Sequence, residues 1–202
     1  IETLNRGAFG AELELTALSI HAYAFLHDKY VLCTCGASMG DGYGPMVVAR
    51  KPLAINDMSG LVIAVPGTLT TAFLTLQLLF KSLEGTRDFR PPLGYGVLPF
   101  DQIIPMVASG KYDAGLIIHE NRFTYVARGL HKLIDLGDWW EQTVQAAIPL
   151  GGIVARRSFN ADLSANIDAI IKESVAYSWK HYPQLSGFVT AHAQEMEESV
   201  MR

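Results

Sequence analysis

Ala114-Gly-Leu-Ile-Ile-His-Glu-Asn-Arg-Phe-Thr-Tyr125 joins an unbroken apolar run to a polar, aromatic segment through a single imidazole. A short apolar run bounded by a glycine and a polar cluster reads as a buried strand. His119 then stands at the carboxyl end of that strand, where open α/β sheets hold their ligands. Imidazole gains or loses a proton near neutral pH, so the position suits a general base or acid.

Outward from this strand, strand and helix patterns alternate, which defines an α/β chain. Glu12–Leu18, Val31–Thr34, Met46–Arg50, Leu61–Val65 and Ile153–Arg156 read as strands. Helices are expected from Ser19 to Asp28 and from Ile103 to Ser109, the second closed by Gly110. A further helix carries Ala72, Phe73, Leu76, Leu79, Phe80 and Leu83 on one stripe and stops at Gly85. Two helices close the chain. Ile167, Ile170, Ile171, Ser174 and Ser178 line the first, which ends near Tyr182 because Pro183 follows. Leu185, Phe188, Val189, His192 and Met196 line the second.

Gly44-Pro-Met-Val-Val-Ala-Arg-Lys51 and Gly151-Gly-Ile-Val-Ala-Arg-Arg157 are near copies of one another, with a strand–helix set of their own nested between them. The pattern predicts one lobe inserted into another, the two copies running side by side as the crossover. Residues 1–51 and 148–202 would form the outer lobe and residues 52–147 the inner, with a hinge at the copies and a cleft between lobes. The glycines of Gly36–Gly44 lead into Pro45 and a strand, not into a helix, so they are a hinge loop and not a dinucleotide fingerprint.

Half of the 202 residues are hydrophobic and the net charge is -4, enough apolar material for a core and too acidic for a nucleic-acid surface. No apolar run approaches the ~18 residues of a membrane span, and the first residues lack the pattern of a signal peptide. A cytoplasmic location is expected. Cys33 and Cys35 read as two buried thiols, since adjacent-but-one cysteines do not close readily on each other. No His, Cys, Asp or Glu grouping has metal-ligand spacing, so no metal is expected.

Two junctions from strand to helix resemble each other: Thr16-Ala-Leu-Ser19 and Pro66-Gly-Thr-Leu-Thr-Thr71. Ser and Thr at a helix start cap free backbone amides, and the same helix end attracts carboxylates. Thr70 and Thr71 offer two hydroxyls together, beside a Gly67 that permits close backbone approach. Facing a cleft, these helix starts would hold a small carboxylate. His21 could reach the same cleft but ranks below His119, while His27, His131 and His181 read as solvated and His192 as packed. Trp139 and Trp140 read as core.

Val65-Pro-Gly-x-x-Thr-Thr-Ala72, Ile104-Pro-Met-Val-Ala-Ser-Gly110, Gly115–Tyr125 and Asp135-Leu-Gly-Asp-Trp-Trp140, with Thr16–Ser19 and Gly44–Arg50, resemble 1,4-dihydroxy-6-naphthoate synthase, a family of the futalosine route to menaquinone. The resemblance implies the two-lobed fold of type II periplasmic binding proteins and a carbon–carbon lyase acting in the cytoplasm on cyclic dehypoxanthinylfutalosine without a cofactor. It implies His119 as proton acceptor, with Ala17, Leu18 and Ser19 in one lobe and Thr71 and Ala72 in the other as substrate contacts. Family members begin with a strand and a Ser-Pro-Cys-Pro-Asn-Asp-like loop, so the outer lobe is expected to lack a strand here. A non-catalytic binder of a small carboxylate and the sister chorismate dehydratase are the alternatives. A homodimer is left open.

Overall fold

The computed structural model describes residues 1–86, 89–184 and 187–192. Its elements run α1 (Glu2–Phe9), β1 (Leu15–Ser19), α2 (Ile20–Leu26), β2 (Tyr30–Leu32), β3 (Ser38–Gly40), β4 (Met46–Ala49), β5 (Val62–Val65) and α3 (Thr71–Leu83). There follow β6 (Gly94–Val97), α4 (Phe100–Ala108), β7 (Ala114–Ile117), α5 (Asn121–Thr124), β8 (His131–Asp135), α6 (Leu136–Val144), β9 (Ile148–Arg156), α7 (Ala161–His181) and α8 (Gly187–His192).

The strands form two sheets. In the first, β9 pairs antiparallel with β1, β2 and β3, so that Leu18 faces Gly152, Val31 faces Ala155 and Gly40 faces Ile148. The second has the order β6-β5-β7-β4-β8, with β5 parallel to both neighbours and β4 antiparallel to both of its own. Each sheet is the floor of one lobe.

The near-copy strands do not run side by side. Met46–Ala49 pairs with β7 and β8 in the second sheet, whereas Ile148–Arg156 is the spine of the first. The chain therefore crosses between lobes just before each copy, and residues 46–51 leave the outer lobe to which the sequence reading gave them. The Gly36–Gly44 segment contains β3, which holds part of that segment against β9.

Apolar alternation explains the second lobe. Val47 and Ala49 point to one face of the sheet, where they meet Leu76, Phe80 and Leu136; Met46 and Val48 point to the other, against Ile103, Ile104 and Val107. Side chains on a strand alternate faces, so a four-residue run apolar throughout demands cover on both sides. Helices α3 and α6 supply one cover and α4 the other. Leu18, Leu26, Tyr30 and Val154 form a smaller core in the first lobe.

Several details depart from the sequence reading. Helix α7 has no buried residue: Ile167 and Ile171 are half-buried, while Ile170, Ser174 and Ser178 are exposed. Its first half alone meets the sheet, where Asp168 accepts hydrogen bonds from the amide and hydroxyl of Thr34. Cys33 and Cys35 are half-buried free thiols, not buried ones, because β2 ends before them. Trp139 packs at the border of the larger core. Leu185 and Met196 lie outside the described residues, and Phe188 on α8 is exposed. No helix among the described residues is long and apolar enough to cross a membrane.

At the first crossover two backbones touch. A Cβ built on Gly137, at the start of α6, would lie 2.6 Å from the Gly44 nitrogen and 2.6 Å from the Tyr43 carbonyl carbon. Backbone atoms cannot rotate away as a side chain would. Gly137→Ala should therefore cost about 1–3 kcal/mol and lower the melting temperature by roughly 3–10 °C; a thermal melt within 1 °C of wild type, in the terms of that scale, would refute the contact.

Candidate active site

Between the two sheets lies a cavity of about 600 Å³, within the range of small-molecule sites. One wall is the end of β1, Ala17 to Ser19, with Leu150 to Ile153 of β9 beside it. The other is the start of α3, Thr70 to Ala72, with Ile118, His119, Arg122 and Phe123 beyond β7. Tyr43, Gly44 and Pro45, on the first crossover, close one side. Every site residue expected from the sequence lines this space. No Asp or Glu does so among the described residues, which leaves the lining neutral to cationic.

His119 follows the end of β7 with φ +56°, in the left-handed region that non-glycine residues seldom enter. The turn is pinned at several points. The His119 carbonyl accepts from the Arg122 amide at 3.4 Å, and Asn121 donates to the Phe100 carbonyl at 3.0 Å. The imidazole stands edge-on to the Phe100 ring, centroids 5.1 Å apart. The residue is exposed toward the cavity, with Phe100 packed against one side of the ring. Desolvation of the ring's protein-facing side pushes its pKa below the ordinary 6.5, against an opposing pull from the Glu120 carboxylate. At neutral pH the ring is therefore uncharged and able to accept a proton.

Arg122 is the residue the sequence reading passed over. Its guanidinium donates to the Gly44 carbonyl at 2.8 Å and to Asp135 at 3.3 Å, and it lies 5.5 Å from the centre of the Tyr43 ring. Asp135 uses its second oxygen to cap α6, accepting from the Gly137 amide at 2.9 Å. The charge is thus anchored to the crossover and to Asp135 in a residue that lines the cavity.

The threonines divide their tasks in a way the sequence reading did not separate. Thr70 is a cap: its hydroxyl accepts from the Phe73 amide at 3.1 Å and donates to the Gly67 carbonyl at 2.8 Å. Thr71 donates to the Leu150 carbonyl at 2.8 Å and so ties the two lobes together. Neither hydroxyl is left for a ligand. The backbone amides of Thr71 and Ala72 are left, for they make no hydrogen bond among the described residues and sit at the positive end of α3.

Gly67 also differs from expectation. With φ +149° it makes room not for a ligand but for the Glu2 carboxylate, which accepts from the Leu69 amide at 3.2 Å. His21 lies at the seam between lobes, its Nδ1 3.2 Å from the Thr70 carbonyl oxygen, and does not line the cavity. Among the described residues there is no group of three His, Cys, Asp or Glu side chains placed to share a metal ion.

Two sheets with a ligand-sized space between them, entered by helix starts and one imidazole, define a type II periplasmic-binding-protein-like fold. Solved structures agree: the ligand-binding component of an ABC-type import system from Staphylococcus aureus superposes with a TM-score of 0.68 at 13% identity, over 98% of this chain and 66% of that one. At that identity the likeness speaks for the fold alone.

The chain belongs to the menaquinone biosynthesis family, whose profile matches residues 1–202. A Thermus thermophilus protein named 1,4-dihydroxy-6-naphthoate synthase is 42% identical over 100% of this chain and 70% of its own length. A Streptomyces coelicolor protein of the same name is 38% identical over 99% of this chain and 69% of its own length. A solved structure from Archaeoglobus fulgidus is 40% identical, with a TM-score of 0.86 over 100% of this chain and 71% of that one.

If Thr70 is a cap and not a ligand contact, Thr70→Ala should destabilise the protein by about 1–2 kcal/mol and lower its melting temperature by roughly 2–8 °C. An unchanged melt accompanied by weaker ligand binding would reverse the assignment.

Proposed function

We propose that the chain is a carbon–carbon lyase that converts cyclic dehypoxanthinylfutalosine to 1,4-dihydroxy-6-naphthoate, with His119 as general base. The observation that carries this reading is an imidazole opening into a cavity that the unpaired amides of Thr71 and Ala72 also line. The names of the relatives with 42% and 38% identity supply the product, 1,4-dihydroxy-6-naphthoate.

In this reading the substrate carboxylate lies against the amides of Thr71 and Ala72, where the α3 dipole favours negative charge. Arg122 adds a positive potential, moderated by Asp135, and Tyr43 and Phe123 give the ring system flat apolar surfaces. Ala17, Leu18 and Ser19 hold the far side of the substrate. His119 takes a proton from carbon and opens an elimination; loss of a three-carbon sugar fragment follows, and the gain of aromaticity makes the sequence irreversible. No charged intermediate needs more than one positioned base, whose typical contribution is about 10²–10⁴-fold.

A binding-only role draws no support from the solute-binding neighbours, which share the fold at identities too low to speak for function. Chorismate as substrate is disfavoured by the names of the relatives.

The experiment is turnover of the cyclic futalosine derivative, followed by the appearance of the naphthoate chromophore. His119→Ala should reduce kcat by about 10²–10⁴-fold while the cavity still binds the product. Because the unprotonated ring is the active form and burial lowers its pKa, kcat/KM should hold steady through neutral pH. It should fall only when the pH drops beneath the ordinary imidazole value of 6.5. An acidic limb centred above 6.5, or undiminished turnover in His119→Ala, would exclude this imidazole as the base.

A further inference from the structure

We propose that Asn5 is a positioning residue that fixes the Ser19 hydroxyl as a hydrogen-bond donor pointing into the cavity. The proposal rests on the functional reading above for the identity of the ligand, and on the following geometry for everything else.

Asn5 lies on α1 and is completely buried. A buried side-chain amide must satisfy both of its ends, and here the backbone decides which end is which. The Ser19 amide, which can only donate, lies 3.0 Å from Oδ1 of Asn5. The Leu69 carbonyl, which can only accept, lies 3.4 Å from Nδ2. With the amide so oriented, Nδ2 also donates to Ser19 Oγ at 3.1 Å. The hydroxyl oxygen is therefore an acceptor toward Asn5, and its own proton must point elsewhere.

No described group accepts that proton. Ser19 begins α2, but its oxygen does not cap the helix, and the His21 amide turns instead to Thr71 Oγ1 at 3.4 Å. Ser19 is 3% exposed and lines the cavity. It is thus a buried donor with no protein partner, opening onto the ligand space, and such a donor is completed by an acceptor oxygen of the ligand. A carboxylate or carbonyl oxygen fits there. The bond from Asn5 to Leu69, two residues ahead of Thr71, also sets the spacing between this donor and the α3 amides on the facing wall. Two helix starts from different lobes are held to one measure by a single side chain.

The test uses steady-state KM for the cyclic futalosine derivative, and equilibrium binding of 1,4-dihydroxy-6-naphthoate so that affinity is read even without turnover. Ser19→Ala leaves the Asn5 bonds to backbone intact and should weaken both by about tenfold, with kcat changed much less. Asn5→Asp keeps the shape but replaces the N–H donor by an acceptor, which turns the Ser19 proton toward residue 5. It should produce a similar loss near neutral pH, and that loss relative to wild type should shrink as the pH is lowered and the new carboxyl regains a proton to donate. In a Ser19→Ala background, Asn5→Asp should add less than it costs the wild type, the remainder being its lost bond to the Leu69 carbonyl.

Unchanged affinity in Ser19→Ala overturns the proposal whether or not Asn5→Asp folds. So does a full additional loss in the double variant, which would mean that Asn5 acts by another route. A wild-type protein that binds the naphthoate but does not turn over the futalosine derivative would refute the functional reading and leave the binding comparison to decide this one.

Discussion

The left-handed backbone at residue 119 is the constraint on which the site depends. A β strand delivers side chains alternately above and below its sheet, and continuing β7 would have sent the imidazole into one of the packed faces. Turning the chain at φ +56° brings the ring out over the end of the sheet. Such a conformation costs roughly 1–2 kcal/mol for a residue with a Cβ. The contacts around it offset that cost. Arg122 reaches from the same turn to Gly44 and Asp135, and Asp135 in turn holds the first amides of α6. One connected set of bonds therefore orients the base, the crossover and a helix start.

The start of α3, on the same wall, is built by a different device. Residues 67–71 are gripped by polar groups from across the seam: Glu2 and Asn5 on α1, His21 on α2, and the Leu150 carbonyl of β9. All of these bonds fall on hydroxyls, carbonyls and the Leu69 amide, and none on the amides of Thr71 and Ala72. The loop is fixed while its donors stay available. A site that must receive an anion benefits from rigidity of this kind, because the donors are oriented before the ligand arrives.

What could be read in the sequence was local. The apolar run ending at His119, the Pro-Gly break before Thr70 and the stripe from Ala72 to Leu83 each declare themselves within a few residues. His119 and the Thr70–Ala72 helix start, read from them, line the cavity. What could not be read was set by distant partners. Met46–Ala49 and Ile153–Arg156 are the same pattern, and only hydrogen bonding to β7 and β8 or to β1 and β2 assigns them to different sheets. Strands β3 and β6 are short and rich in glycine, a composition that favours turns when no neighbour is known. Asn5 looks like a solvated residue on an amphipathic helix, for its partners at Ser19 and Leu69 are remote in sequence. The hydroxyls of Thr70 and Thr71 were legible as polar groups at a helix start, but not that both were already taken.

The spine of the first sheet also bears on how the molecule is assembled in time. Strands β1, β2 and β3 are each joined to β9 and to no other described strand, so among these strands β9 alone links them into a sheet. During synthesis the second lobe, whose strands all lie between Met46 and Asp135, can close first. Strands β1 to β3 gain their pairing to β9 only once Ile148–Arg156 has emerged from the ribosome. The cavity wall that β1 and β9 share is therefore completed in one late, long-range step.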